Sequence, residues 1–329
     1  MHNLYNKDEI TTLKGHIVKY YANNWYKPIF GLTTTTSAIG FVLYFMNCND
    51  GYNFLLISLL SLFMIRMFTI FHDLNHNSYF PKNNYNINSI VSHFIDIFAI
   101  YSTKKWKNVH NIHHIRHGNL NVIDDTRTVL ISSEYEKLSS IQKKLYTTFR
   151  NPIIFFSVMP LYIFWINKFI EMEIVYLTKY ISFFYFLYRV ANPQVAISFF
   201  ISQYLGTIIG TMLFHLQHQV NIGYWKHIET NDSISKMNAE LIGSSVIKIP
   251  LCLKYFTYGI EYHNIHHFDS KIPSYNLKKC YDEVRQLGYI KTKEIGYVQM
   301  VKSLFHVIYN EKTERYESSP FFKMLQLEA

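Results

Sequence analysis

Four apolar stretches, Pro28 to Met46, Asn53 to Phe71, Pro152 to Ile170 and Gln194 to Phe214, are each close to the length a helix needs to cross a bilayer. Nothing else in the chain restricts its fold as strongly. Hydrocarbon offers no partner to backbone N–H and C=O groups, so spans of this length must be helices that satisfy their own. Composition agrees: 49% of the residues are hydrophobic and only 17% charged, against roughly 25% charged in a typical soluble domain. Residues 1–27 are polar and lack the basic start, short apolar core and cleavage site of a signal peptide, so insertion falls to the internal spans. The expected fold class is all-α, an integral membrane bundle of four transmembrane helices with a cytosolic helical cap. Its expected divisions are a cytosolic N-terminal segment at 1–27, a membrane domain at 28–310 and a C-terminal tail at 311–329.

Two weaker apolar stretches are decided by parity. Ile90 to Ser102 is too short to cross and lies between histidine clusters that must share a side. Ile174 to Val190, added to the other four, would leave His218 opposite His76, and is read as interfacial or re-entrant. Lysine and arginine concentrate in residues 1–27, 72–151 and 215–329, whereas the turn "NCND" between the first two spans has none. By the positive-inside rule those basic segments, and both termini with them, are cytosolic. In a eukaryotic cell the membrane would be that of the endoplasmic reticulum. The formal charge of +9 does not point to nucleic acid, because no compact basic block or recognition motif accompanies it. Cys48, Cys252 and Cys280 are three in number and lack paired spacing, so they indicate neither a disulfide framework nor a zinc site. Arg66 lies inside the second span, where a charge must snorkel, pair or support a site.

The chain holds 16 histidines, and most fall in four clusters: "HDLNH" at His72 to His76, "HNIHH" at His110 to His114, "HLQHQ" at His215 to Gln219, and "HNIHH" again at His263 to His267. Residues three and four apart share a helix face. His72 with His76, His110 with His113 and His114, and His263 with His266 and His267 therefore each form a chelating edge. The first and third clusters begin where spans end, so helices leaving the membrane would gather the clusters above the bundle. His218 joins the candidate ligands, and His215, a turn earlier, is left open. Neutral imidazole suits iron, zinc, copper and nickel, and eight or nine of them without cysteine exceed one tetrahedral zinc and suggest two metals, most naturally two redox irons. His2, His16, His93, His117, His227 and His306 sit outside a clean cluster and are read as surface or hydrogen-bonded core residues.

Asp124 and Asp125 read as a solvated loop pair, whereas Asp73 and Glu261 are placed to orient imidazoles from behind. The chain contains no G-x-S-x-G, P-loop or G-x-G-x-x-G motif, which leaves hydrolase, nucleotide-hydrolysing and dinucleotide-binding functions without support.

One H-D-x-x-H box followed by two H-x-x-H-H boxes resembles the membrane fatty acid desaturases, in their acyl-lipid, omega-6 branch. The segments "RMFTIFHDLNHNSYF", "FRNPIIFFSVMPLYIF", "HLQHQVNIGYW" and "YGIEYHNIHHFDSKIPSYNL" look like family segments in family order, over roughly residues 50 to 310. The resemblance implies iron ligands at His72, His76, His110, His113, His114, His263, His266 and His267, with His218 matching the histidine of the family's "QHQ" segment. It implies two iron ions, O2 as co-substrate and a long-chain acyl lipid as substrate. The last box begins with histidine rather than glutamine, and no fused "HPGG" segment is present, which favours a methyl-end enzyme served by a separate electron donor such as cytochrome b5 or ferredoxin. Leu74-Asn75, Val220-Asn221 and Arg127 depart from common family residues without removing a ligand.

The implied reaction removes two hydrogens from adjacent methylenes of an acyl chain, of delta-12 (omega-6) type. A di-iron hydroxylase or ketolase shares such boxes and differs in its product. A metal transporter is the rival from another class, but it would set ligands along a transbilayer path rather than beyond the ends of the spans.

Overall fold

A computed structural model describes residues 4–49, 51–81, 85–122, 129–170, 173–219, 225–229, 232–292 and 294–318. Helix dominates, and among the described residues three helices are long and apolar enough to cross a membrane, α2 (Tyr26–Cys48), α3 (Phe54–Asn75) and, later in the chain, Pro193–His218, with a bent pair at 140–166 as a fourth candidate. Ahead of them lies α1 (Lys7–Ile17), started by an Asn6–Glu9 capping box. Between them come α4 (Tyr85–Ala99), α5 (Thr103–Arg116), α6 (Ser132–Glu136), α7 (Ser140–Phe149), α8 (Pro152–Leu161), α9 (Asn167–Ile170) and α10 (Ile174–Val190); Pro193–His218 is α11. The cap is completed by α12 (Ser233–Gly243), α13 (Leu251–Thr257), α14 (His263–Phe268), α15 (Ser274–Gln286) and α16 (Tyr297–Leu304).

The bundle is built on α3, which packs against α2, α4 and α11. Its core includes Ile57, Leu60, Met67, Ile70 and Phe71, with Val195 and Phe199 from α11. Small residues bring α3 and α11 close: a Cβ added at Gly206 would sit 3.3 Å from the Ser61 carbonyl oxygen. Ser202 Oγ donates to the Ile57 carbonyl at 3.1 Å. Gly51 N–H donates to Gln194 Oε1 and Asn192 N–H to Asn47 Oδ1, so the α2–α3 and α10–α11 turns meet at the bundle end remote from the histidines.

The stretch 152–170 is not one straight helix. A proline-containing α8 passes into a π-helical turn at Tyr162–Ile166 and then into α9, and α7 meets this segment at 82°. Conversely α10, read from sequence as interfacial, packs along α11, with Tyr180 donating to Gln203 Oε1 at 2.8 Å in the interior.

Short strands staple the cap, a detail beyond the all-α expectation. Strand β1 (Leu130–Ile131) pairs in parallel with β4 (His306–Asn310), which pairs antiparallel with β5 (Arg315–Ser318) through the turn at 311–314, and β2 (Val246–Ile247) pairs in parallel with β3 (Glu294–Ile295). Residues 5–20 pack into the cap: Leu13 and Ile17 of α1 are fully buried in the cluster formed with Ile265, Leu277 and Val284.

Candidate metal centre

Four helices deliver the histidines. Helix α3 runs on past the expected end of its span to carry His72, with His76 as its C-cap, and α11 likewise extends to His218. Ser102 caps α5, which holds the second box, and α14 holds the last. The approach to α14 needs a glycine. Gly259 has φ +95°, and a Cβ there would lie 2.2 Å from the Ser274 carbonyl oxygen.

The imidazoles form two clusters. In the first, His72, His76, His110, His114 and His266 place one ring nitrogen each within 4.8 Å of one another; in the second, His113, His218 and His267 do the same. His263 adjoins the second, with its Nε2 3.1 Å from His218 Nε2. The clusters touch where the His114 and His267 rings stack at 4.3 Å.

Hydrogen bonding cannot account for the first cluster. His110 Nε2 lies 3.1 Å from both His72 Nε2 and His114 Nε2, and His114 Nε2 is also 3.2 Å from His266 Nε2. A ring nitrogen has a single in-plane site, either a proton or a lone pair, and cannot serve two such neighbours. A shared cation at about 2.1 Å from each nitrogen spaces ligands at right angles by about 3.0 Å. Ring positions agree: His110 and His266 oppose one another at 6.3 Å, and His76 stands 4.9 Å from each of them. His76 Nε2 is buried without a hydrogen-bond partner. Burial, reinforced by neighbouring imidazoles, holds His110, His114, His263, His266 and His267 well below the usual histidine pKa. They are therefore neutral at pH 7, the form that binds metal.

Supporting residues surround these rings. Asp73 lies with Oδ1 3.1 Å from His72 Nδ1, and itself accepts from Ser274 N–H at 2.6 Å and Ser274 Oγ at 2.8 Å. Asp73 thus lies beside the His72 ring, and Ser274, which no motif marks, holds its carboxylate there. Glu261 instead accepts from Thr257 Oγ1 at 2.7 Å. Trp106 stacks on His110 at 4.2 Å and abuts Phe71. Arg66 does not snorkel: its Nε donates to Thr35 Oγ1 at 2.8 Å, Nη1 donates to the Tyr255 carbonyl, and the guanidinium lies between the Tyr255 and Tyr258 rings. It thereby ties α3 to α13, the element that leads into the last box.

His215 stays outside both clusters, with Nε2 2.8 Å from the Ser303 carbonyl oxygen. His93, His227 and His306 bond to Ser89, Asn121 and Gln219, and His16 packs on Tyr289. His117, read from sequence as a surface or hydrogen-bonded core residue, is buried, with its ring 4.7 Å from those of His218 and His267. The signal was its spacing, four residues after His113 and seven after His110. His2, Asp124, Asp125, Arg127, Val220 and Asn221 lie outside the described residues.

Fold and site together define a class: an integral membrane helical protein with two adjacent histidine clusters able to hold metal ions. The family model for fatty acid desaturases matches residues 51–297. A Bacillus subtilis (strain 168) protein named fatty acid desaturase is 29% identical over 271 residues, 78% of this chain and 74% of its own. An sn-1 oleoyl-lipid 12-desaturase from Picosynechococcus sp. is 26% identical over 244 residues, 67% of this chain and 65% of its own. The chain belongs to the fatty acid desaturase family.

Proposed function

We propose that the protein is an O2-dependent acyl-lipid desaturase that inserts a cis double bond into a long acyl chain, of the delta-12 (omega-6) type. The observation that carries this reading is the pair of contiguous all-histidine clusters at one end of an apolar bundle. The cyanobacterial relative's name supports the regiochemistry.

In this reading His72, His76, His110, His114 and His266 hold one iron, and His113, His218, His263 and His267 hold the other. Bound iron supplies the oxidant, formed from O2 and two external electrons, that an unactivated C–H bond requires. The protein's residues position and shield. Asp73 fixes the His72 tautomer, and Trp106 with Phe71 keeps water from the His72 and His110 side. An apolar passage between the spans would hold two adjacent methylenes against the clusters. Electrons would come from a separate carrier, cytochrome b5 or ferredoxin, and the chain's +9 charge favours an acidic one.

For topology, α10 serves in this reading as the third crossing, beside the bent segment Pro152–Ile166, which with α7 is also apolar enough to cross. It runs along α11 to the turn at Asn192, beside the α2–α3 turn. Four crossings by α2, α3, α10 and α11 keep every box and both termini on one side, the cytosolic one.

Yeast expressing the chain beside a His266→Ala control provides the test, through gas chromatography and mass spectrometry of fatty acid methyl esters. The expected product is a new diunsaturated chain present only with the intact protein. A hydroxylated chain would reassign the reaction, and an unchanged profile with donor and oleoyl lipid supplied would overturn it.

A further inference from the structure

We propose that His117 is an additional ligand of the second metal centre, raising that centre from four imidazoles to five. The proposal rests on the two-metal reading above and concerns a residue outside all of the histidine boxes.

Ring geometry carries it. With a metal–nitrogen bond of about 2.1 Å, a ligating ring centroid lies about 3.2 Å from the ion. Two rings on one ion are then about 4.5 Å apart at right angles and about 5.5 Å apart at 120°. The His117 ring lies 4.7 Å from His218, 4.7 Å from His267 and 5.5 Å from His113. The three rings of the second cluster stand at 4.7, 5.0 and 4.8 Å from one another, the same range. These distances place the His117 ring where it can share an ion with the second cluster; Phe214, which lies at similar distances from His218 and His113, has no nitrogen to offer.

The backbone fixes the ring there. His117 is the C-cap of α5, its N–H donating to the His113 carbonyl at 2.8 Å. The next residue, Gly118, turns the chain at φ +75°. Gly118 accepts from Lys226 N–H at 2.9 Å, and Leu120 N–H donates to the Lys226 carbonyl at 2.8 Å. The end of α5 is thus clamped to the segment following His218, and the ring is 2% exposed. Trp225 covers it at 5.7 Å. With His117, each centre draws on five imidazoles, and α5 serves both from a single face: His110 and His114 to the first, His113 and His117 to the second.

The test uses full-length protein in detergent, depleted of metal and titrated anaerobically with Co2+, with metal content and visible spectra recorded. Wild type, His117→Ala and His117→Cys are compared, with His16→Ala as the control. Two Co2+ per wild-type chain are expected, with one of them weakened on the order of 100-fold in His117→Ala and the other unchanged. In His117→Cys, a thiolate ligand adds a near-ultraviolet sulfur-to-cobalt charge-transfer band absent from wild type. A residue that merely positions its neighbours could lower affinity but would not create that band. Folded His117→Cys protein that binds two Co2+ without the band overturns the proposal while leaving the two-metal reading intact. Failure of the wild type to bind two ions removes both. Should His117→Ala not fold, the cysteine variant alone decides.

Discussion

His113 and His114 are adjacent in sequence yet face different clusters. His113 Nε2 lies 3.3 Å from His267 Nε2, whereas His114 Nε2 lies 3.1 Å from His110 Nε2 and 3.2 Å from His266 Nε2. Successive helix residues diverge by about 100°, so the paired histidines of one box point into two centres. The last box repeats the division, with His266 in the first cluster and His267 in the second. Each H-x-x-H-H box therefore gives two of its histidines to one cluster and the third to the other.

Single-residue loss should accordingly empty one centre and spare the other. His266→Ala and His267→Ala are each expected to insert into the membrane and retain about one iron per chain instead of about two, while desaturation is abolished. Iron analysis of the purified variants, beside the methyl ester profile, checks this. Loss of both irons from either variant would contradict the division.

Asp73→Asn should keep the shape of the site and weaken its first centre. The amide can turn its NH2 toward His72 Nδ1 or keep its oxygen there, but it cannot supply the carboxylate's charge to the imidazole. A fall of about 10- to 100-fold in iron affinity is expected. Competition with a chelator measures it, and Ser274→Ala should show a smaller loss in the same direction.

Arg66→Lys should loosen the tie between α3 and α13. Lysine keeps the charge and loses the planar stack between Tyr255 and Tyr258, together with the forked donation to Thr35 and Tyr255. A cost of about 2 kcal/mol is expected, read as a lower melting temperature in detergent. Because α13 leads into the last box, iron loading should fall with it.

Glu240 provides a pH dependence away from the metal site. Burial raises its carboxyl to a pKa of about 8, against 4.5 in the unfolded chain. Between these values the native state holds a proton that the unfolded state has released, so stability conferred below pH 4.5 is lost progressively as pH rises through 8. Glu240→Gln should therefore raise the melting temperature at pH 8 more than at pH 5. Equal shifts at both pH values would show that ionisation is not the cause.

Hydropathy and histidine spacing were enough to define the membrane fold, the family's histidine boxes and the gathering of those boxes beyond the span ends. Each follows from local chemistry: hydropathy over a bilayer's length, and the spacing of metal-binding side chains on a helix. Tertiary structure decided how the donors are shared. Spacing shows that His110, His113 and His114 lie near one face, but two centres become distinguishable only when α3, α11 and α14 converge on α5 from different directions. The same holds for His117, which looks peripheral along the chain and is brought against His218 and His267 by the clamp from Gly118 to Lys226. Helix α10 is apolar enough to be read several ways, and only its packing along α11 sets its direction. Hydropathy and spacing act within one element, whereas the allocation of ligands depends on the relative placement of four, which no single segment encodes.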